Sequence, residues 1–170
     1  MSPAWWKPTT PEHLVASPWI SAEAKRAFGM YLKPTIDVLE YGSGGSTLWL
    51  QERVHSVVSV EHDRVWYRAL KKKVDKEKVT MMLWDQPEPP EFEQLFDLVF
   101  LDGEPIERRG AWIKALGRLV KPHGVVVLDN ANRHEYEVER QWMNRHTILL
   151  ASIKGKGGTF TLTEFFEWRG

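Results

Sequence analysis

Five acidic residues stand at the ends of five short apolar runs. They are Glu40 after Ile36-Asp37-Val38-Leu39, Glu61 after Val57 to Val60, Asp85 after Val79 to Leu83 and Trp84, Asp102 after Phe96 to Leu101, and Asp129 after Val125 to Leu128. The first acid leads at once into Tyr41-Gly42-Ser43-Gly44-Gly45-Ser46-Thr47, where closely spaced glycines meet two hydroxyl residues suited to starting a helix. A strand, a tight turn and a helix start in this order bring bare backbone N–H groups up to a small anionic group. Acids on successive strand ends would crowd negative charge into one crevice unless they bind a partner. Two kinds of partner suit them: a cationic ligand that also carries hydroxyls and an exocyclic amine, or a divalent metal.

The elements that must position these acids follow from periodicity and punctuation. Ser21 caps a helix running to about Leu32, with Ile20, Ala24, Ala27, Phe28, Tyr31 and Leu32 on one face, and Pro34 ends it. A first strand at 36–39 is followed by the glycine turn and a short helix from Ser46 to about Glu52. The second strand closes at Glu61, and Asp63 caps a helix with Val65, Trp66, Ala69, Leu70 and Val74 inward. After a third strand, Val79–Leu83, the Gln86–Pro90 loop leaves room for one helical turn before the fourth strand at 96–103. A helix with Trp112, Ala115, Leu116, Leu119 and Val120 at 3–4 spacing then meets a stop and turn at Lys121-Pro122-His123-Gly124. The fifth strand, 125–128, precedes a helix from Glu135 to about Asn144 with Tyr136, Val138 and Trp142 inward. Thr147–Ile153 and Thr159–Phe165 read as a hairpin joined through Lys154-Gly155-Lys156-Gly157-Gly158. Repeated βα units ending in an antiparallel pair predict an α/β, Rossmann-like doubly wound sheet, mostly parallel. In such a sheet ligands sit outside the carboxyl ends of the strands, where all five acids fall.

Bulk composition narrows the partner. The 170 residues fit one domain, with 1–20 as an extended lead-in and 21–170 as the folded unit. Lys plus Arg equals Asp plus Glu at 23 each, so no basic excess marks a nucleic-acid partner. The absence of cysteine excludes disulfides, thiolate metal sites and Cys nucleophiles. The N-terminus has no signal-peptide pattern, and no apolar run nears the roughly 18 residues of a membrane span, which predicts a cytoplasmic protein. Trp5, Trp6 and Trp19 read either as an aromatic lid or as an exposed tail.

Spacing then sharpens the crevice. Glu61 lies 19 residues after Gly42, where a carboxylate can accept from both hydroxyls of a ribose; the plainer alternative is a helix N-terminal charge beside Asp63. Asp85 is placed to accept from an adenine amino group, and Trp84 or His62 to cover the base. A dinucleotide fingerprint would need a third glycine at Thr47, which disfavours an NAD-binding reading. What stands instead is Glu40-x-Gly42-x-Gly44-x-Ser46, which resembles motif I of the class I S-adenosylmethionine-dependent methyltransferases. The resemblance extends through Glu61, Asp85 and Phe96–Asp102, covering about residues 21–165. It implies a seven-stranded sheet in the order 3-2-1-4-5-7-6, the last strand antiparallel, and S-adenosylmethionine as cofactor. It further implies that Gly42, Ser43 and Gly44 approach the methionine part, that Ser46 and Thr47 lie near its carboxylate, and that Glu40 orders the loop or meets the amino group.

Leu101-Asp102-Gly103 and Leu128-Asp129-Asn130 are similar to the metal-binding positions of catechol and caffeoyl-CoA O-methyltransferases. That likeness implies Mg²⁺ or another divalent cation on Asp102, Asp129 and Asn130, activating an acceptor hydroxyl. The lysine those enzymes carry after the strand-four Asp is replaced by Gly103-Glu104-Pro105, and the alternative is that both Asp are pocket acids. Without a metal, Asp102, Glu104 and His134 are the candidate proton acceptors. A small-molecule acceptor methylated at oxygen is the first expectation. A non-catalytic cofactor-binding or scaffold protein of the same fold is the alternative.

Overall fold

The computed structural model describes residue 11 and residues 14–155 and 161–170. Its elements in order are α1 (Ala22–Tyr31), β1 (Asp37–Tyr41), α2 (Gly45–Leu50), β2 (Ser56–Glu61), α3 (Arg64–Leu70), β3 (Val79–Leu83), β4 (Phe96–Leu101), α4 (Arg109–Lys114), β5 (Val120–Leu128), α5 (Glu137–Asn144), β6 (Thr147–Lys154) and β7 (Leu162–Trp168). The strands form one seven-stranded sheet in the order β3-β2-β1-β4-β5-β7-β6, as the resemblance implied. Pairings from β3 to β5 are parallel, whereas β5–β7 and β7–β6 are antiparallel. None of the described helices is long and apolar enough to cross a membrane.

Two apolar layers cover the sheet, and the two-residue period of β1 divides its side chains between them. Leu39 and Tyr41 enter the layer built with Trp112, Ile113, Leu116, Tyr136 and Met143, from α4, α5 and the turns flanking them. Val38 enters the opposite layer with Phe28, Leu48, Trp49, Leu50 and Leu70, on the side of α1 to α3. Glu40 shares Val38's face and is wholly buried there, so a carboxyl lies within an otherwise apolar layer. Serine and aspartate caps start α1 and α3 as expected: the Ser21 hydroxyl accepts from Ala24 N–H, and Asp63 accepts from Val65 and Trp66 N–H.

Several details depart from the sequence reading. Val65 is 67% exposed and Val138 is 73% exposed, so neither points inward. On α5 the buried Glu164 of β7 turns Arg140 toward the sheet (Nε to Oε2 2.9 Å, Nη2 to Oε1 2.8 Å), which rotates Val138 outward. Lys121-Pro122-His123-Gly124 is an irregularity inside a longer β5, with His123 at φ +64°; Lys121 is held there by Asp97 at 2.9 Å. Between β3 and β4 the described chain has no helical turn. The last strand runs on to Trp168, past Phe165, and residues 156–160 of the expected hairpin, Thr159 included, lie outside the described residues.

Residues 14–20 of the lead-in pack on the body. Leu14 and Ile20 join the layer of α1 to α3, and Trp19 meets Trp66 edge-on at 6.2 Å. The Val15 and Ser17 carbonyls lie so close to Gly45 that any Cβ there would collide with them. Trp5 and Trp6, the other members of the expected aromatic lid, lie outside the described residues.

Candidate functional site

The carboxyl ends of β1 and β2 hold a continuous polar network beneath the glycine turn. Glu40 Oε2 accepts from Thr47 Oγ1 (2.5 Å) and Ser59 Oγ (2.6 Å), and Ser43 Oγ lies 2.6 Å from Ser59 Oγ. Thr47 Oγ1 also accepts from Gly44 N–H at 3.0 Å, which fixes the turn to the start of α2. Glu40 Oε1 has no hydrogen-bond partner among the described residues. Burial raises this carboxyl from 4.5 to about 7; Ser46, Ser59 and Thr47 pull it down only in part, and Glu61 adds to the rise. Ser46 eases the charge from nearby without completing a hydrogen bond to Oε1. A buried acceptor without a partner is expensive, and an ammonium donor at Oε1 would satisfy it.

Glu61 is buried and already engaged: Oε2 accepts from Ser43 N–H (2.9 Å), and Oε1 accepts from Asp63 N–H (2.8 Å) and lies 3.0 Å from His62 Nδ1. That contact with the carboxylate raises the His62 pKa. A carboxylate offers about four lone-pair positions, so acceptor capacity remains for a hydroxyl. Gly42, at φ +96°, backs directly onto Gly103 at the end of β4; a Cβ at Gly42 would overlap the Gly103 Cα and stand 2.6 Å from its nitrogen. Close approach therefore requires both glycines, and backbone conformation requires Gly42 as well.

Asp85 is 69% exposed and pairs with Arg108 Nη1 at 2.8 Å. Arg108 follows β4 and Asp85 follows β3, so this ion pair reaches across the ends of β1 and β2 that separate them. Trp84 donates Nε1–H to Glu88 O at 2.8 Å, which ties it to its own loop beside Asp85.

On the other side of the switch point, Asp102 and Asp129 end the paired strands β4 and β5, and Asp129 N–H donates to Leu101 O. Arg109, 1% exposed, fills the space behind them. It donates to Gly103 O (2.8 Å), Asp129 O (2.6 Å) and Asp102 O (2.7 Å), with Asp102 Oδ1 at 3.4 Å. Asp129 Oδ1 accepts from Thr163 Oγ1 at 2.7 Å. Desolvation and the facing Asp129 push the Asp102 carboxyl well above its usual range, with Arg109 opposing; burial likewise raises Asp129 against Thr163. Asn130, at φ +53°, is pinned through its carbonyl by Tyr136 Oη at 2.5 Å.

The expected Asp102, Asp129 and Asn130 set does not fit a divalent cation as it stands. Among the described residues no three His, Cys, Asp or Glu converge on a metal position. A guanidinium already contacts Asp102 and the Asp129 backbone, and a second cation beside it would meet like-charge repulsion. His134 is 88% exposed and faces its neighbour Glu135 at 3.3 Å, and Glu104 is exposed at the rim. Neither is held against Asp102 by a hydrogen bond. Ser59, Arg108 and Arg109 are site residues that the motif reading missed. A serine in the middle of an apolar strand was the available signal for Ser59, whereas Arg109 bonds chiefly to backbone carbonyls and leaves no pairwise trace.

No protein-family model matches the sequence, and no curated protein matches it. Solved structures do match the fold. The M. jannaschii tRNA m1G37 methyltransferase aligns with TM-score 0.65 at 12% identity, covering 89% of this chain and 51% of that one, so this chain spans about half its length. The N-methyltransferase NodS of Bradyrhizobium japonicum WM9, in complex with S-adenosyl-L-homocysteine, aligns with TM-score 0.65 at 13% identity over 87% of each chain. Precorrin-6y C5,15-methyltransferase from Geobacter metallireducens GS-15 aligns with TM-score 0.63 at 16% identity, over 91% of this chain and 93% of that one. The narrower catechol and caffeoyl-CoA likeness is carried by residues 101–103 and 128–130 alone. With its strand order and antiparallel end, the chain has the Rossmann-like fold of the class I S-adenosylmethionine-dependent methyltransferases.

Proposed function

We propose that this protein binds S-adenosylmethionine and transfers its methyl group to a small-molecule acceptor, at an oxygen. The observation that carries the cofactor is the buried Glu40, with one carboxylate oxygen engaged by Thr47 and Ser59 and the other buried without a partner beneath the glycine turn. That unpaired oxygen suits the ammonium of the methionine part once the turn shifts to admit it. Glu61 retains room to accept from a ribose hydroxyl, and Asp85 can accept from the adenine amine once Arg108 yields. Gly42, Ser43, Gly44, Ser46 and Thr47 shape the turn, with His62 and Trp84 at the adenine end. The bound cofactor would supply a methyl group on positively charged sulfur.

The chain's own part is alignment and proton handling. Asp102, raised by its surroundings and less buried than Asp129, is the group placed to take the acceptor hydroxyl's proton as its oxygen becomes methylated. The balanced count of 23 acidic and 23 basic residues favours a small acceptor over a phosphate-rich one. Calorimetry with S-adenosylhomocysteine and with NAD tests the cofactor: the adenosyl ligand should bind, NAD should not, and Glu61→Ala should weaken the former. Preferential NAD binding would sink the reading. Transfer of labelled methyl in an acceptor screen separates the enzyme from a non-catalytic binding protein.

A further inference from the structure

Two acids at adjacent strand ends raise a question of charge balance. Asp102 and Asp129 lie side by side because Leu101 and Leu128 pair in register; Asp129 is buried and Asp102 keeps only partial access to water. A pair of carboxyls so placed needs a nearby cation or must hold a proton between them. The sequence pattern at these positions suits a divalent ion, yet the Arg109 guanidinium already lies against the strand ends behind them. Its Nε, Nη1 and Nη2 donate to the carbonyls of Gly103, Asp129 and Asp102, with Nη2 also 3.4 Å from Asp102 Oδ1. A guanidinium cannot lose its proton in a protein, so this positive charge is permanent.

The structure assigns to Arg109 the role of built-in cation for the Asp102–Asp129 end of the crevice, a permanent charge behind the two acids that repels a divalent ion from them. Arg109 is thus a positioning residue: it joins the ends of β4 and β5 through their backbones and balances the acids above them. Tyr136, donating to the Asp129 and Asn130 carbonyls, completes the same clamp from the far side. The inference concerns this chain's own charges and stands whether or not the adenosyl ligand is the right one.

The test is a divalent-ion titration of the full chain, using Mn²⁺ followed by electron paramagnetic resonance and Ca²⁺ followed by thermal unfolding. Wild type and Arg109→Lys, which keeps the charge, should show no saturable ion and no shift in Tm. Arg109→Gln and Arg109→Met remove the charge and should acquire an ion site that Asp102→Asn abolishes. At about a hundredfold over Kd, that site should raise the variants' Tm by roughly 5–10 °C. A purely structural staple would lower Tm on substitution without creating any metal response, and folded Gln and Met variants lacking that response would overturn the assignment. Saturable Mn²⁺ binding to wild type that Asp102→Asn removes would overturn it too. Should the charge-removing variants fail to fold, Arg109→Gln in the Asp102→Asn background decides: recovery of folding supports the charge balance, and failure to recover refutes it.

Discussion

Replacing Glu40 by glutamine should change how stability depends on pH, and the structure sets both sign and size. In the folded chain this carboxyl holds its proton up to about pH 7, against 4.5 without its surroundings. Between those values the native state binds more protons than the unfolded state, so stability falls as pH rises through the window. Below it both states are protonated, above it both are ionised, and the contribution is flat. The difference of about 2.5 units corresponds to about 3 kcal/mol. Glutamine is neutral throughout and keeps an oxygen able to accept from Thr47 and Ser59. Wild type should therefore lose about 3 kcal/mol relative to Glu40→Gln between pH 4.5 and 7, or roughly 6–12 °C in Tm for a chain of this length. Urea unfolding of both proteins at closely spaced pH values measures the difference directly. Parallel stability curves across the window would refute the reasoning. The same titration predicts that wild-type affinity for S-adenosylhomocysteine weakens about tenfold per unit below pH 7, because an ammonium at Oε1 requires the ionised carboxylate.

Three further outcomes follow from distinct contacts. Arg108→Gln frees Asp85 from a largely solvent-screened pair and should tighten S-adenosylhomocysteine up to about fivefold by calorimetry; unchanged or weaker binding would show that the pair does not compete with the ligand. Arg140→Met leaves the buried Glu164 with the Ser152 hydroxyl but no cation and should destabilise by about 2–4 kcal/mol in urea, whereas the double change with Glu164→Met should recover most of that loss. If the double variant is no more stable than the single, the loss came from packing. Gly42→Ala combines a positive φ with a clash against Gly103 backbone, and should cost on the order of 3 kcal/mol or more while abolishing adenosyl binding; retention of both stability and binding would contradict the close approach.

The fold was legible where local signals and burial agree. Strand–acid–turn repeats placed β1 to β4 and the sheet class, and Ser21 and Asp63 announced their helices. The misread positions share a cause: a partner distant in sequence. Val65 and Val138 fit a helical period, but α5 is oriented by Arg140 reaching Glu164 on β7, and α3 buries chiefly Leu70. The Lys121–Gly124 stretch has turn composition and sits in a strand because Asp97 holds Lys121 from β4. In the site, Glu40, Glu61, Asp85, Asp102 and Asp129 do line up along the strand ends. What the sequence could not convey is that Asp85 is spanned by Arg108 and that Arg109 lies among the metal-like positions. Both arginines read equally well as surface charge on a helix start.

The back-to-back contact of Gly42 and Gly103 makes two positions behave as one. They lie far apart in the chain, yet each occupies the volume that the other's Cβ would need, and a Cβ at Gly103 would also strike the Tyr41 ring. Neither can change first, and changing both only doubles the clash. Relatives that keep this crevice should therefore carry glycine at both places, and loss of one should travel with a remodelled turn after the other strand. A saturation library at the two codons, selected only for folding, should return this pair of glycines almost unmixed.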